Sequence, residues 1–421
     1  MGNTAQDIAT TAPAGTIATQ KIWTIAEMQR RLDNLHALMD EKSLDAVILT
    51  SIHNVLYYTG FFCPPFGRLH SAVIPRKGEP ALIVSTIEDM RPDYCCYYED
   101  IRSFDDWTTN ALEINLRLYD EVFRDNGITG GRLGYESDTV SAAYKEALDE
   151  RLNKFEFVDV AHDSMRQRLV KSEEEIALIR HGVEICEVGG YAALEALKFG
   201  VTEVEVARAA NMAIEDELRK RFPDIEVDNL NMCWFQSGPY RSRVGHIMNS
   251  HRVVQKGEML SLNPYAIIAG YYHVLERSLY WGHIPDDALE IFKINVRAHH
   301  AGLAALKAGA KCSDIDKAIN PIYEEAGLLD GRSFGSGHSL GIMSIWFGRE
   351  EGGELRRYNE TALQENMVVT MEPMVNVDGL GGFRHHDICR IKKGGIENLN
   401  TFPRGVLLVT DEGKLEEVWT P

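Results

Sequence analysis

Apolar residues recur along the chain with two different periods, and the switches between them mark out its elements. Thr24-Ile-Ala-Glu27 has the form of a capping box, and Ile25, Met28, Leu32, Leu35 and Met39 follow at helical spacing, which predicts a helix ending near Lys42. Apolar runs at Ala46 to Leu49, Ser71 to Ile74 and Ala81 to Val84, separated by turn residues such as Arg76-Lys-Gly-Glu-Pro80, predict strands. Strands alternate with helices as far as about Asp163, the pattern of an α/β domain. A second capping box, Ser172-Glu-Glu-Glu175, opens a long helix with Ile176, Ile179, Val183 and Cys186 on one side, and the domain boundary is placed just before it.

Beyond that boundary Leu194-Glu-Ala-Leu-Lys-Phe-Gly200 returns as Leu303-Ala-Ala-Leu-Lys-Ala-Gly309, each copy followed by a polar helix start, Thr202 or Ser313. Two copies are too few for a solenoid, so the repeat points to two similar halves around one site. The expected organisation is a tail over 1–20, an amino-terminal α/β domain over 21–169 and a catalytic domain over 170–421. The fold class is mixed α/β (α+β).

The length of 421 residues suits two or three domains at roughly 150 residues each. A formal net charge of -19 argues against nucleic acid or anionic lipid as partners, because both need clustered Lys and Arg. The seven cysteines are odd in number and scattered without a C-x-x-C pair, which supports neither a disulfide framework nor a zinc site and fits a reducing cytoplasm. Residues 1 to 20 lack the basic start and apolar run of a signal peptide, and Gln6 stands where a myristoylation motif wants Ser or Thr. No stretch approaches the roughly 18 apolar residues of a membrane span.

Candidate chemistry collects in four stretches: Trp234-Phe-Gln-Ser-Gly238 followed by Gly245-His246; Gly270-Tyr-Tyr-His-Val-Leu-Glu-Arg-Ser278; Gly335-Ser-Gly-His338; and Met371-Glu-Pro-Met374 with Phe383-Arg-His-His-Asp387. Taken singly, Glu276 reads as a partner of Arg277 or a solvated side chain, His246 as a loop histidine, and Met371 and Met374 as core filler. In their order, these blocks resemble the pita-bread fold hydrolases, a family that includes methionine aminopeptidase, prolidase and creatinase. The five ligand positions of its metal-using members fall on Asn263, Val274, His338, Glu372 and His386. Asn and Val cannot supply the anionic oxygens that two divalent cations need, so the expectation is no metal and no other cofactor.

The resemblance is to the creatinase branch of that family. It runs from about Asn54 to Pro403 and includes Tyr57-Tyr58, Phe66-Gly67-Arg68, Trp107, Val188-Gly-Gly190 and His385-His-Asp-Ile388. It implies hydrolysis of creatine to sarcosine and urea. Glu276 and Glu372 would bind the guanidinium, Arg68 and Arg349 the substrate carboxylate, and His246 would be the acid and base. Phe66 and Tyr272 would wall the substrate, with His338 and His386 as further polar contacts. A homodimer is implied, Phe66 and Arg68 acting across its interface. Pro239-Tyr-Arg-Ser-Arg-Val-Gly245 departs from the family segment, and His251, five residues beyond His246, is its competitor. The alternatives are hydrolysis of another small guanidino acid or amidine such as ectoine, a metal-dependent peptidase, and a binding protein without chemistry.

Overall fold

The computed structural model describes residues 19–63, 68–105, 107, 111–226, 231–342 and 351–421. The expected tail therefore lies, but for Thr19 and Gln20, outside the described residues. The chain divides into two compact units, the first ending at Arg168 and the second beginning at Leu169.

In the first unit, helix α1 (Ile25–Lys42) starts at Thr24, whose hydroxyl accepts from the Glu27 N–H at 3.1 Å. Only half of the expected box forms. The Glu27 carboxylate turns instead to Arg30 and Arg31, at 2.8 and 2.7 Å, because Arg31 is fully buried and needs the counter-charge. Strands β1 (Ala46–Leu49), β2 (Ser71–Pro75), β3 (Ala81–Ser85), β4 (Asp100–Phe104), β5 (Gly131–Tyr135) and β6 (Phe155–Asp159) form one sheet in the order β4-β3-β2-β1-β5-β6. The β1–β2 and β2–β3 pairs are antiparallel and the others parallel. Ile48, Val73, Ile83 and Leu133 pack from this sheet against Tyr119 and Phe123 of helix α2 (Ala111–Asp125).

The second unit opens with helix α3 (Glu173–Glu195), where the Ser172 capping box does form with both reciprocal bonds. Helices α3 and α4 (Glu203–Arg221) precede strands β7 (Met232–Ser237), β8 (Met259–Ile268), β9 (Tyr271–Val274) and β10 (Glu276–Trp281). The plan then repeats. Helices α5 (Asp286–Ala305) and α6 (Cys312–Glu325) precede β11 (Val368–Met371), β12 (Met374–Val377) and β13 (Gly381–Lys392). Strands β14 (Gly395–Asn398), β15 (Val406–Val409) and β16 (Leu415–Trp419) complete a ten-stranded sheet. The repeated heptapeptide is the turn joining the helices of each pair, and both its glycines, Gly200 (φ 82°) and Gly309 (φ 90°), hold left-handed backbone.

The two helix starts after that turn differ. Thr202 caps α4 in a full capping box, whereas α6 begins one residue ahead of Ser313. There the Asp314 carboxylate accepts the Lys311 N–H at 3.0 Å, while the Ser313 hydroxyl is drawn to Glu360 at 2.8 Å. Along α3, glycines set how closely the helix approaches its neighbours: a methyl group on Gly182 would lie 2.1 Å from the His273 ring of β9. That ring is held by a 3.0 Å contact between Nδ1 and the Ala266 carbonyl. Overpacking of this kind costs about 1–3 kcal/mol, against a helix-propensity gain of about 1 kcal/mol. Gly182→Ala is therefore expected to lower the midpoint of urea unfolding; an equal or higher midpoint would show that the ring turns aside without cost.

Candidate active site

Side chains alternate across a strand, and that alternation sorts the Arg384-His-His-Asp387 run of β13 into two sets. Glu276 of β10 lies opposite His386 in the antiparallel register, and Arg277 opposite His385. Arg384 and His386 share a face with Glu276, while His385 and Asp387 turn the other way with Arg277. Glu276 does not pair with Arg277, as its neighbour in sequence suggested. Arg277 is committed to Asp387 at 2.6 Å, with both side chains fully buried.

Glu276 instead accepts from Arg384 Nη2 at 3.0 Å and from the Tyr265 hydroxyl at 3.2 Å, both on Oε1. Its Oε2 is buried with no hydrogen-bond partner among the described residues. Glu372 follows β11, where its N–H donates to the Ser336 carbonyl at 2.8 Å. Its Oε1 receives the Thr370 hydroxyl at 3.1 Å and faces His338 Nε2, also at 3.1 Å. His338 Nδ1 lies 2.7 Å from the Ser339 carbonyl and must carry a hydrogen to bond it, so the contact of Nε2 with Glu372 is attractive only with a proton between them. His386 is buried, and neither ring nitrogen has a partner among the described residues. One donor atom each of Glu276, Glu372 and His386 lie within 4.8 Å of one another.

The two carboxyl groups differ in acidity because their partners differ. Burial pushes Glu276 up to about 7, against the pull of Arg384 and with the Glu372 charge adding to the rise. Burial acts on Glu372 in the same direction, yet His338, with His386 and Arg384 adding less, holds it well below the usual carboxylate range. Burial brings His386 down to about 4, which leaves a neutral imidazole at neutral pH.

Aromatic rings continue the site outward. Tyr272 packs on Tyr265 with ring centres 5.4 Å apart, Tyr265 on Trp234 at 5.0 Å, and Trp234 on His246 at 5.5 Å. His246 is exposed on one side, while enclosure of the other and the Arg384 charge lower its pKa. His251 is exposed. Within the divergent loop, Arg241 turns to Glu203 at 2.9 Å, and Arg243 is paired with Asp378. Arg68 belongs to the first unit, and Phe66 and Arg349 lie outside the described residues. Arg384 is the site residue that sequence reasoning missed. Its partners Glu276 and Asn263 are 108 and 121 positions away, and no local pattern marks such a pairing.

A pair of divalent cations does not fit these side chains. The Asn263 amide donates to the Trp234 carbonyl at 2.9 Å and its oxygen accepts from Arg384 at 2.9 Å, so both ends are committed. Val274 offers no donor, and the Arg384 guanidinium already places a positive charge against Glu276.

Compared with known proteins, residues 31–170 match the Creatinase/Prolidase N-terminal domain and residues 177–393 the Metallopeptidase family M24. Creatinase of Bacillus sp. (strain B-0618) is 38% identical over 90% of this chain and 92% of its own length. An Xaa-Pro dipeptidase of Pyrococcus furiosus is 27% identical over 90% of this chain and 100% of its own. The crystal structure of an X-Pro aminopeptidase from Thermotoga maritima MSB8 shares the fold, with a TM-score of 0.77 at 22% identity over 90% of this chain and 99% of that one.

The carboxyl asymmetry has a direct check. With its negative neighbour removed in Glu372→Gln, Glu276 is expected to ionise at lower pH than in the wild type. The protonated-carboxyl band in infrared difference spectra, assigned by its loss in Glu276→Gln, would follow the change. A midpoint that stays put or rises would mean that Glu372 does not govern Glu276.

Proposed function

The chain belongs to the M24 family with a creatinase/prolidase amino-terminal domain, and from that premise we propose that it hydrolyses creatine to sarcosine and urea without a metal ion. The observation that carries this reading is the buried carboxylate pair with an unshared Glu276 oxygen beside an unpartnered His386. A guanidinium is a planar cation with N–H donors on several edges, which suits two carboxylates meeting it from different sides. Arg384 and His338 leave the Glu276 Oε2 buried without a donor, and an unsatisfied buried acceptor costs about 1–3 kcal/mol or more, so the N–H donors of the substrate cation stabilise the pair on entry. The 38% identity to a creatinase supports the same substrate.

In this mechanism Glu276 and Glu372 hold the guanidinium, while His338 and His386 border the reacting carbon. His246, neutral at pH 7 because its pKa is lowered, takes a proton from water as the water oxygen bonds to the guanidinium carbon. The bond from that carbon to the sarcosine nitrogen then breaks, and His246 returns the proton to the leaving nitrogen. The proton left on the new hydroxyl passes to the sarcosine amine as the urea carbonyl forms, so neutral urea and zwitterionic sarcosine result. Tyr272 walls the pocket with Phe66, and Arg68 and Arg349 take the substrate carboxylate, Arg68 and Phe66 coming from the second subunit of a homodimer.

A second reading rests on the Glu276, Glu372 and His386 trio, whose spacing could hold one cation, as in a metal-dependent peptidase. The Arg384 charge beside Glu276 opposes it. Incubation with creatine, with and without a strong chelator, separates the two. Equal amounts of urea and sarcosine by NMR, unaffected by chelator, are expected. Stoichiometric metal with chelator-sensitive dipeptide cleavage would favour the peptidase, creatine bound but unchanged a binding protein, and no binding another guanidino acid. His246→Ala is expected to lower kcat at least 100-fold with creatine affinity by calorimetry little changed; retained turnover would remove His246 from the mechanism.

A further inference from the structure

His246 makes no hydrogen bond among the described residues, so its imidazole plane is not set by a polar partner. A general acid and base must nevertheless present one nitrogen to water and then to the leaving group, and errors in its orientation lower the rate directly. The group packed against this ring is the Trp234 indole, edge to face at 5.5 Å with 71° between the planes.

Trp234 is itself firmly placed. Its residue pairs with Asn263 across β7 and β8, its carbonyl receives the Asn263 amide at 2.9 Å, and its ring packs at 67° on Tyr265. Tyr265 in turn donates to Glu276 at 3.2 Å. A continuous row therefore runs from the carboxylate through two aromatic rings to the imidazole. The indole also carries a feature that packing alone does not call for: its Nε1–H is buried without a partner among the described residues, where most buried tryptophan N–H groups are paired.

We propose that Trp234 is a positioning residue of the reaction, fixing the imidazole of His246 at a set distance from Glu276 and keeping its own N–H unpaired for the water that His246 activates. The proposal deepens the hydrolase reading above and rests on it for the identity of the reacting groups. Because Trp234 acts through the proton-transfer residue and not through the carboxylates, its removal should act on kcat and spare KM.

Trp234→Leu is expected to lower kcat about 30-fold or more while changing KM less than about threefold. It should also move the acid limb of the pH profile toward that of a solvated histidine, near 6.5. Trp234→Phe keeps a ring against His246 without the N–H and is expected to recover part of the loss from the leucine variant, the remaining deficit, about threefold to tenfold, measuring the N–H. Unchanged kcat in the leucine variant, or equal losses in kcat and 1/KM, would overturn the proposal; full activity in the phenylalanine variant would remove the N–H from it. Should the leucine variant fail to fold, the phenylalanine variant and tryptophan fluorescence still decide. Protonated imidazole quenches a neighbouring indole, so wild-type emission should fall as pH drops through the His246 titration, with the step absent in His246→Gln and Trp234→Phe. No such step in the wild type would sink the juxtaposition whatever the substrate, whereas a clear step without creatine turnover would sink only the hydrolase reading.

Discussion

The site depends on one buried ion pair that takes no part in it. Arg277 and Asp387 meet at 2.6 Å with neither side chain exposed, and Arg277 spends its other donors on backbone. One terminal nitrogen bonds the carbonyls of both Glu276 and His386, while the rest of the fork reaches the carbonyls of Pro403 and Phe402. Asp387 gathers Asn398 at 2.7 Å and Arg404 at 2.8 Å on its second oxygen. Breaking a buried pair of this kind costs about 3–5 kcal/mol, although the pair adds little net stability over an apolar substitute. Its contribution is to register: it clamps β10 to β13 where Glu276 and His386 face each other.

With that register held, the pocket is an exercise in charge. Two carboxyl groups share a dry space and cannot ionise equally, so the protein places His338 beside one and Arg384 beside the other. Arg384 also takes the oxygen of Asn263, the one polar side chain of the two strand positions, Asn263 and Val274, that the resemblance aligns with metal ligands. Under the proposed function, this is a pocket that a spread-out monovalent cation would suit better than concentrated divalent charge.

Much of this arrangement is legible in the sequence. Helix α3 and its capping box follow from local pattern because all their determinants lie within a few residues, and the repeated Leu-Lys-x-Gly turn shows its left-handed glycine openly. Glu276, Glu372, His338 and His386 could be singled out because each sits in a short motif whose order carries information. What stayed hidden was non-local competition. Glu27 leaves its box for a buried arginine, Ser313 gives up a helix start for Glu360, and Arg384 looks like one more charged residue until the fold delivers its partners. Sequence shows which groups could bond; distance in three dimensions decides which do.

The alternation along β13 carries a consequence for how such a site can change. The side chains of residues 384 and 386 address the pocket, and those of residues 385 and 387 the layer behind it, where Asp387 holds Arg277 and His385 meets the Gly405 carbonyl at 2.7 Å. Substitution at His386, which has no side-chain hydrogen bond among the described residues, can rework recognition while the clamp stays intact, whereas replacing Arg384 would leave the buried Glu276 without its counter-charge. Insertions and deletions have no such freedom, since a shift of one residue would exchange the two faces and lose pocket and clamp together.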